Sequence, residues 1–265
     1  MSEAQKDRRD MSLMAKLSLP EAAEPPWSLL SAFLTVGVLF LCLALIGPAL
    51  VSAVMASTGN SRDVLFPFEL VQSWAIGLGG AIAFVLVSRR SSEESWHALR
   101  LVKGELPLPM SLMIGIAIAL ALDLVIGLAS GVFRTVPLIW GFQPHGALGI
   151  LLALIQLVAL QPLAETLVFQ GVLLPRMRWA FGHWGGVIGT AAVYTVLYRL
   201  VFIEAYSFYG NLWHGIVFPM GIGISFCLLK VYTGSTAAAL LGRMGAGLIL
   251  LLTALAIYGS YTVAS

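Results

Sequence analysis

Charged residues are scarce in this chain of 265 residues. Lysine, arginine, aspartate and glutamate make up 11% of it, while 59% of the residues are hydrophobic; ordinary globular domains have about 25% charged residues. So few charges cannot cover the surface of a soluble domain of this length, which argues against a soluble enzyme and, with so apolar a composition, against a disordered chain. The composition predicts an integral membrane protein in contact with the lipid bilayer.

Several patterns that carry chemistry are also missing from the sequence. The two cysteines, Cys42 and Cys227, both fall in apolar runs, so we expect buried thiols rather than a disulfide. The four histidines lack both the spacing of a helical zinc pair and an accompanying cysteine pair. No phosphate-binding or dinucleotide-binding glycine loop and no basic stripe is present. We therefore predict no cofactor, no metal and no nucleic-acid partner, and leave open whether a lipid or pigment is bound.

Long apolar runs are what the chain has instead. A helix needs about 20 apolar residues to cross the hydrocarbon core of a bilayer. The candidate spans are residues 28–56, 66–87, 110–132, 147–174, 185–201, 212–231 and 238–257. We predict an all-α helical membrane bundle of about seven spans, within a range of six to eight because the last run could break near Gly245 or Gly247. Residues 1–26 are expected to form a polar, solvated tail, and residues 27–265 a single transmembrane domain.

Lysine and arginine are unevenly divided between alternate loops. The side that carries the tail has eleven of them, namely four in the tail, four after the second span, two after the fourth and one after the sixth, whereas the opposite side has three. Positive charge accumulates on the cytoplasmic side of membrane proteins. This predicts a protein of the cell (plasma or inner) membrane with a cytoplasmic amino-terminal side and an outer carboxyl-terminal side.

Away from the last few residues at the span ends, the ionisable candidates are Asp123, Glu165 and Arg243, with Arg199 and Glu204 near an outer boundary. A charge in that position costs at least a few kcal/mol and is a functional candidate by default. Glu165 is the most informative, because Pro162 can kink the helix beside it and Gln161 lies one helical turn away. Polar chemistry is therefore expected around Glu165.

The stretch from Pro162 to Leu174, which reads PLAETLVFQGVLL, closely resembles the first motif of the CAAX-protease and bacteriocin-processing (CPBP, Abi) family, whose members look like Ala-Glu-Glu-x-x-Phe-Arg-Gly there. The pair Tyr194 and Tyr198 is similar to a second family motif, an aromatic residue followed four positions later by histidine. A Thr-Gly-Ser lead-in at residues 233–235 then places Arg243 and Gly247 where the family has a final histidine and asparagine. The resemblance covers residues 161–248.

In that family the paired glutamates and the two histidines are thought to activate a water against a peptide bond within the membrane. Only the first of these groups is retained here. The positions that correspond to the family's site are Glu165, Thr166 in place of the second glutamate, Gln170 in place of arginine, Tyr198 and Arg243 in place of the two histidines, and Gly247 in place of asparagine. The resemblance therefore implies a CAAX-protease-like fold with a vestigial site and no catalytic residue, because a general base needs a partner and a stabiliser of the oxyanion.

Replacement of a histidine by Arg243 also suggests a structural role. If the motif helices converge on one cavity, as the family resemblance implies, Glu165 and Arg243 could form a buried ion pair. The alternative is that Arg243 extends along the helix to the cytoplasmic interface.

Three classes of function follow from this reading. The leading one is a catalytically inactive membrane protein that acts as a scaffold or accessory subunit with other integral membrane proteins. An intramembrane endopeptidase that uses Glu165 as sole base, with Tyr198 or Gln170 as oxyanion donor, is the alternative, and a small-solute channel or transporter is a third. A candidate partner surface is rich in aromatic side chains, which interfaces favour, although a plain interfacial aromatic belt would look the same. Its residues are Phe202, Tyr206, Phe208, Tyr209 and Trp213.

Overall fold

The computed structural model describes residues 11–19, 24–59, 67–90, 92–102, 104–130, 146–202 and 212–264, and within them the regular structure is helical, with no strand. The helices are α1 (Leu13–Ser18), α2 (Leu29–Ser57), α3 (Pro67–Arg90), α4 (Glu93–Ala98), α5 (Leu108–Ser130), α6 (residues 146–181), α7 (residues 183–202), α8 (Trp213–Thr233) and α9 (Thr236–Ala264). Six helical stretches are long and apolar enough to cross a membrane. The predicted helical membrane bundle is confirmed.

The fourth of these stretches, Gly149–Val201, has 53 residues, about twice the length that a bilayer needs. It is interrupted at Gly182, whose backbone has φ 76° and ψ −176°, a conformation that only glycine adopts readily. A Cβ atom built on Gly186 would lie 2.5 Å from the Cα of Arg178, although residues eight apart in a straight helix are separated by about 12 Å. The chain therefore reverses at Gly182, and α6 and α7 form a hairpin that corresponds to two of the seven predicted spans.

Four segments meet at one end of the bundle, which we call the α1 end. The loop after α3 bonds to the turn between α8 and α9, with Glu105 N–H donating to the Thr233 carbonyl (3.2 Å) and Thr236 N–H donating to the Arg100 carbonyl (3.0 Å). The α6–α7 turn joins them through Arg178, which donates to the Leu19 carbonyl (2.9 Å). The tail and these loops are the segments of the sequence that contain the larger number of basic residues. The structure therefore brings together at one end the segments that the charge pattern assigns to one side.

Part of the amino-terminal tail differs from the solvated linker that its composition predicts. Ser12 caps α1 by accepting a hydrogen bond from Ala15 N–H (3.2 Å), and Lys16 and Leu17 in that helix are each only 1% exposed. The six-residue helix is docked because its apolar and basic side chains find partners on the bundle, which composition by itself does not reveal.

Helix α6 is the central element of the bundle. Two wide π-helical turns, Ile155–Leu160 and Thr166–Leu173, flank a short α-helical segment, Gln161–Glu165, and every residue of the second turn is buried. A segment that is buried all round must be covered on each side, and α2, α7 and α9 supply that cover. The residues that resemble the first family motif thus lie at the centre of the fold.

Glycines allow α9 to approach α5 and α6 closely. A Cβ on Gly115 of α5 would collide with the backbone carbonyl of Gly242, and one on Gly247 would collide with the carbonyl of Leu157 in α6. Lipid supplies no hydrophobic force between helices, so close contact between backbones is a main source of their association.

We expect Gly115→Ala to lower the free energy of unfolding by about 1–3 kcal/mol, because the added methyl group must push α5 away from α9. Gly79→Ala is the matched control, since nothing lies within 4 Å of a Cβ at Gly79 in α3. Thermal unfolding of both variants in the same mild detergent measures the difference. Equal melting temperatures for the two variants would show that the α5–α9 contact is not tight.

Candidate functional site

A buried ion pair joins α6 to α9 at the centre of the bundle. Arg243 Nη1 donates to Glu165 Oε2, and the two side chains are each about 4% exposed. The second carboxylate oxygen, Glu165 Oε1, accepts a hydrogen bond from Gln161 Nε2 (2.8 Å), one helical turn earlier in α6. Both oxygens of Glu165 are therefore engaged by protein groups.

Two aromatic rings hold the Arg243 guanidinium in place. Its central carbon lies 4.7 Å from the ring centroid of Tyr194 in α7 and 5.0 Å from that of Phe226 in α8. Both distances are within cation–π range. Tyr194 in turn packs edge-on against Phe169 of α6, with 5.1 Å between centroids. Four helices, α6 to α9, thus converge on a single charged contact.

A second polar layer lies towards the α1 end. Lys230 of α8 is buried and donates to the backbone carbonyl of Gln170. That carbonyl is available because Leu174 N–H bonds to Phe169 instead, and Pro175, five residues after Gln170, has no N–H to donate. The Gln170 side chain donates to Cys227 Sγ at 3.9 Å, so its amide group is directed at the thiol.

The sequence identifies part of this site and misses part of it. Phe226 is an aromatic residue in an apolar span, and such a residue gives no signal of a cation partner. Lys230 is three residues from the end of its helix, which makes it appear to be a loop charge. The bond between Lys230 and Gln170 depends on the proline in another helix, and no local pattern reports it.

The remaining residues of the predicted vestigial site surround the ion pair in different ways. Thr166 is buried, and its hydroxyl has no hydrogen-bond partner among the described residues. Tyr198 is half-buried, with its ring centroid 6.0 Å from that of Tyr194. Gly247 packs against Leu157 with no room for a side chain unless a backbone moves.

The candidate partner surface is only partly within the described residues. Tyr206, Phe208 and Tyr209 lie outside them, as does the side chain of Phe202, while Trp213 is half-buried in the first turn of α8. Asp123 is half-buried on α5. Among the described residues, no group of three or more metal-ligating side chains is close enough to hold an ion.

A family model described as "Type II CAAX prenyl endopeptidase Rce1-like" matches residues 147–249. The matched segment contains both members of the ion pair and every residue of the predicted vestigial site. It supports membership of the chain in the CAAX-protease (CPBP) family, so this is a helical membrane protein with a CAAX-protease-like domain. No curated protein and no solved structure matches the chain.

The geometry limits what Glu165 can do chemically. A carboxylate acts as a general base only when one of its oxygens can reach the proton that it abstracts. Here one oxygen accepts from Gln161 and the other from an arginine, which stays charged at all ordinary pH values. Glu165 is also only about 4% exposed, so a water would have to enter this buried contact before Glu165 could activate it.

We expect Glu165→Gln and Arg243→Gln each to lower the free energy of unfolding by about 3–5 kcal/mol, because either change leaves a buried charge without its partner. The double variant should lose clearly less than the sum of the two, since it leaves no orphaned charge. Unfolding in detergent measures all three variants.

Glu93→Gln is the control for this cycle. Glu93 pairs with His97 at 3.6 Å, but its side chain is 90% exposed, so removing its charge should change the stability by less than about 0.5 kcal/mol. Strictly additive losses for the two buried positions would show that Glu165 and Arg243 do not stabilise one another.

Proposed function

We propose that this protein is a proteolytically inactive CAAX-protease-like membrane protein that serves as a scaffold or accessory subunit of a membrane complex. The observation that carries the proposal is the buried Glu165 carboxylate, which accepts from Gln161 on one oxygen and from Arg243 on the other. A permanent ion pair at the position of the family's general base stabilises helix packing rather than a reacting water.

The surroundings of the ion pair support the same proposal. An asparagine could not replace Gly247 without displacing α6 or α9, because even a Cβ would overlap the Leu157 backbone. The side-chain amide of Gln170, the nearest substitute for the family's arginine, donates towards Cys227. Neither position offers Glu165 the partner that acid–base catalysis needs.

The Glu165–Arg243 ion pair also weakens the two other functions that the sequence suggests. An endopeptidase that uses Glu165 as sole base needs a carboxylate oxygen that is open to water. A channel or transporter was suggested by three charges inside the membrane, but two of them neutralise each other here. Asp123 remains as the single ionisable residue of that set outside the pair.

An accessory role is favoured because this chain retains features of the family fold while the side chains that carry the family's chemistry are replaced. The retained features are the motif in α6, the turn at Gly234 between α8 and α9, and the convergence of α6 to α9. The replaced residues are those that correspond to the family's second glutamate, arginine, two histidines and asparagine. Apolar side chains on α5 are more than half exposed, among them Leu120, Leu124 and Leu128, and such a face contacts either lipid or another membrane subunit. We further propose that the α1 end faces the cytoplasm, since it carries the basic loops.

Proteolysis is tested directly with the purified protein in proteoliposomes, against a prenylated CAAX reporter peptide and a leader-peptide reporter. We expect no cleavage above the level of empty liposomes, because both oxygens of Glu165 accept hydrogen bonds from protein groups and the side chain is only about 4% exposed. Glu165→Gln is assayed beside the wild type. Cleavage by the wild type that disappears in Glu165→Gln would overturn the inactive assignment and establish the endopeptidase.

The accessory role is tested by purification of the tagged protein from its native membrane in a gentle detergent, with mass spectrometry of the chains that co-purify. We expect a stable, stoichiometric set of other membrane subunits, reduced by Tyr206→Ala combined with Tyr209→Ala. Phe181→Ala is the control, because Phe181 is 57% exposed at the α1 end and does not belong to the candidate partner surface. A monodisperse protein that purifies alone would contradict the role.

A further inference from the structure

The bundle has an apolar pocket at its α1 end that holds a single leucine. Leu17 of α1 packs with Leu174 and Val187 of the α6–α7 hairpin and with Cys227 and Val231 of α8. Its side chain is 1% exposed. The pocket is therefore formed by three spanning helices, and its occupant comes from outside them.

A cation site lies beside this pocket. Lys16 Nζ forms an ion pair with Glu105 in the loop before α5, and the same ammonium group lies 4.2 Å from the ring centroid of Tyr232 at the end of α8. Lys16 is as deeply buried as Leu17. A carboxylate and an aromatic face together select a lysine or arginine side chain.

The third recognition element is an arginine that binds the backbone of the α1 segment. Arg178 Nη2 donates to the carbonyls of Leu17 (3.2 Å) and Leu19 (2.9 Å). The last carbonyls of a helix have no partner within that helix, so the guanidinium supplies what the end of a bound helical segment lacks. The apolar side chain, the charge and the backbone carbonyls of this one short segment thus each contact a different part of the bundle.

We propose that these three elements form a peptide-binding site for a basic–apolar helical segment, and that α1 occupies it in cis as a releasable plug. A six-residue helix is too short to be stable on its own, so α1 is ordered only while it is bound. Cys227 shares the apolar cluster of Leu17 and contacts the side chain of Gln170, which lies in α6 five residues after Glu165. Release of α1 would open a path from this end of the bundle towards the Glu165–Arg243 site.

Release of the plug should cost less free energy than unfolding of the whole bundle. Segments held by few contacts open at a lower free energy than the whole domain. Two of the contacts that hold this region are ionic and lie at the end of the bundle, the Lys16–Glu105 pair and the Arg176–Glu24 pair at 2.6 Å. This proposal needs neither the presence nor the absence of proteolysis, since the same plug would cover the site in both cases.

The test is the rate at which a small thiol reagent modifies Cys227 in the folded full-length protein on a Cys42→Ala background. Leu17→Ala should raise that rate at least about tenfold, because it removes a fully buried leucine side chain that holds the plug. Met14→Ala is the matched control, since Met14 belongs to the same helix but is 65% exposed. Its labelling rate should equal that of the parent.

A charge exchange provides a second, independent measurement. Lys16→Glu should also raise the labelling rate, because it places two carboxylates side by side, and adding Glu105→Lys should bring the rate back towards that of the parent. The melting temperature of every variant is recorded alongside. The proposal is overturned if Leu17→Ala labels no faster than Met14→Ala, if the exchange does not restore protection, or if faster labelling always accompanies an equal loss of global stability.

Discussion

The Glu165–Arg243 ion pair fixes the point at which four helices of this protein meet. A charge within an apolar bundle is tolerated only when it is paired and hydrogen-bonded. Arg243 therefore has to face α6, and Glu165 has to face α9, which sets the rotation of both helices. Tyr194 and Phe226 then bring α7 and α8 against the guanidinium. The arrangement of the central helices follows from pairing one buried cation with a carboxylate and two aromatic rings.

Close packing supports this contact from the outside. The glycines of α9 let its backbone touch α5 on one side and α6 on the other, so the arginine is carried on a helix that cannot shift far. The wide turns of α6 contribute in a different way, because they and Pro175 leave the carbonyl of Gln170 for Lys230. Helix packing and polar pairing thus reinforce each other, as expected where lipid provides no hydrophobic force between helices.

The same geometry underlies the proposal that this chain keeps a CAAX-protease-like fold without its chemistry. The carboxylate of Glu165, at the position of a family glutamate, is paired with Arg243 and joins two helices. Function depends on the groups in the site and not on the helices that carry them. The α1 end adds a further layer, since Lys16, Leu17 and Arg178 close the bundle above this anchor.

Much of the fold is determined by the sequence itself. Hydropathy is a local property, so each apolar run reports its own tendency to cross the bilayer, and the positions of α2, α3, α5, α8 and α9 follow closely from it. The motif around Glu165 likewise identifies the central helix, because its residues are contiguous. Alternate-loop charge groups the segments that meet at the α1 end. These features need no knowledge of how the helices pack.

Only the tertiary structure decides which side chains meet. Arg243 is 78 residues from Glu165, and whether it pairs there or extends to the membrane interface depends on the rotation of α9 about its own axis. The burial of Lys230 and the docking of α1 depend on a proline, an aromatic ring and an arginine in distant parts of the chain. A linear pattern records the polarity of each helix, but pairing between helices is set by their relative rotation and depth.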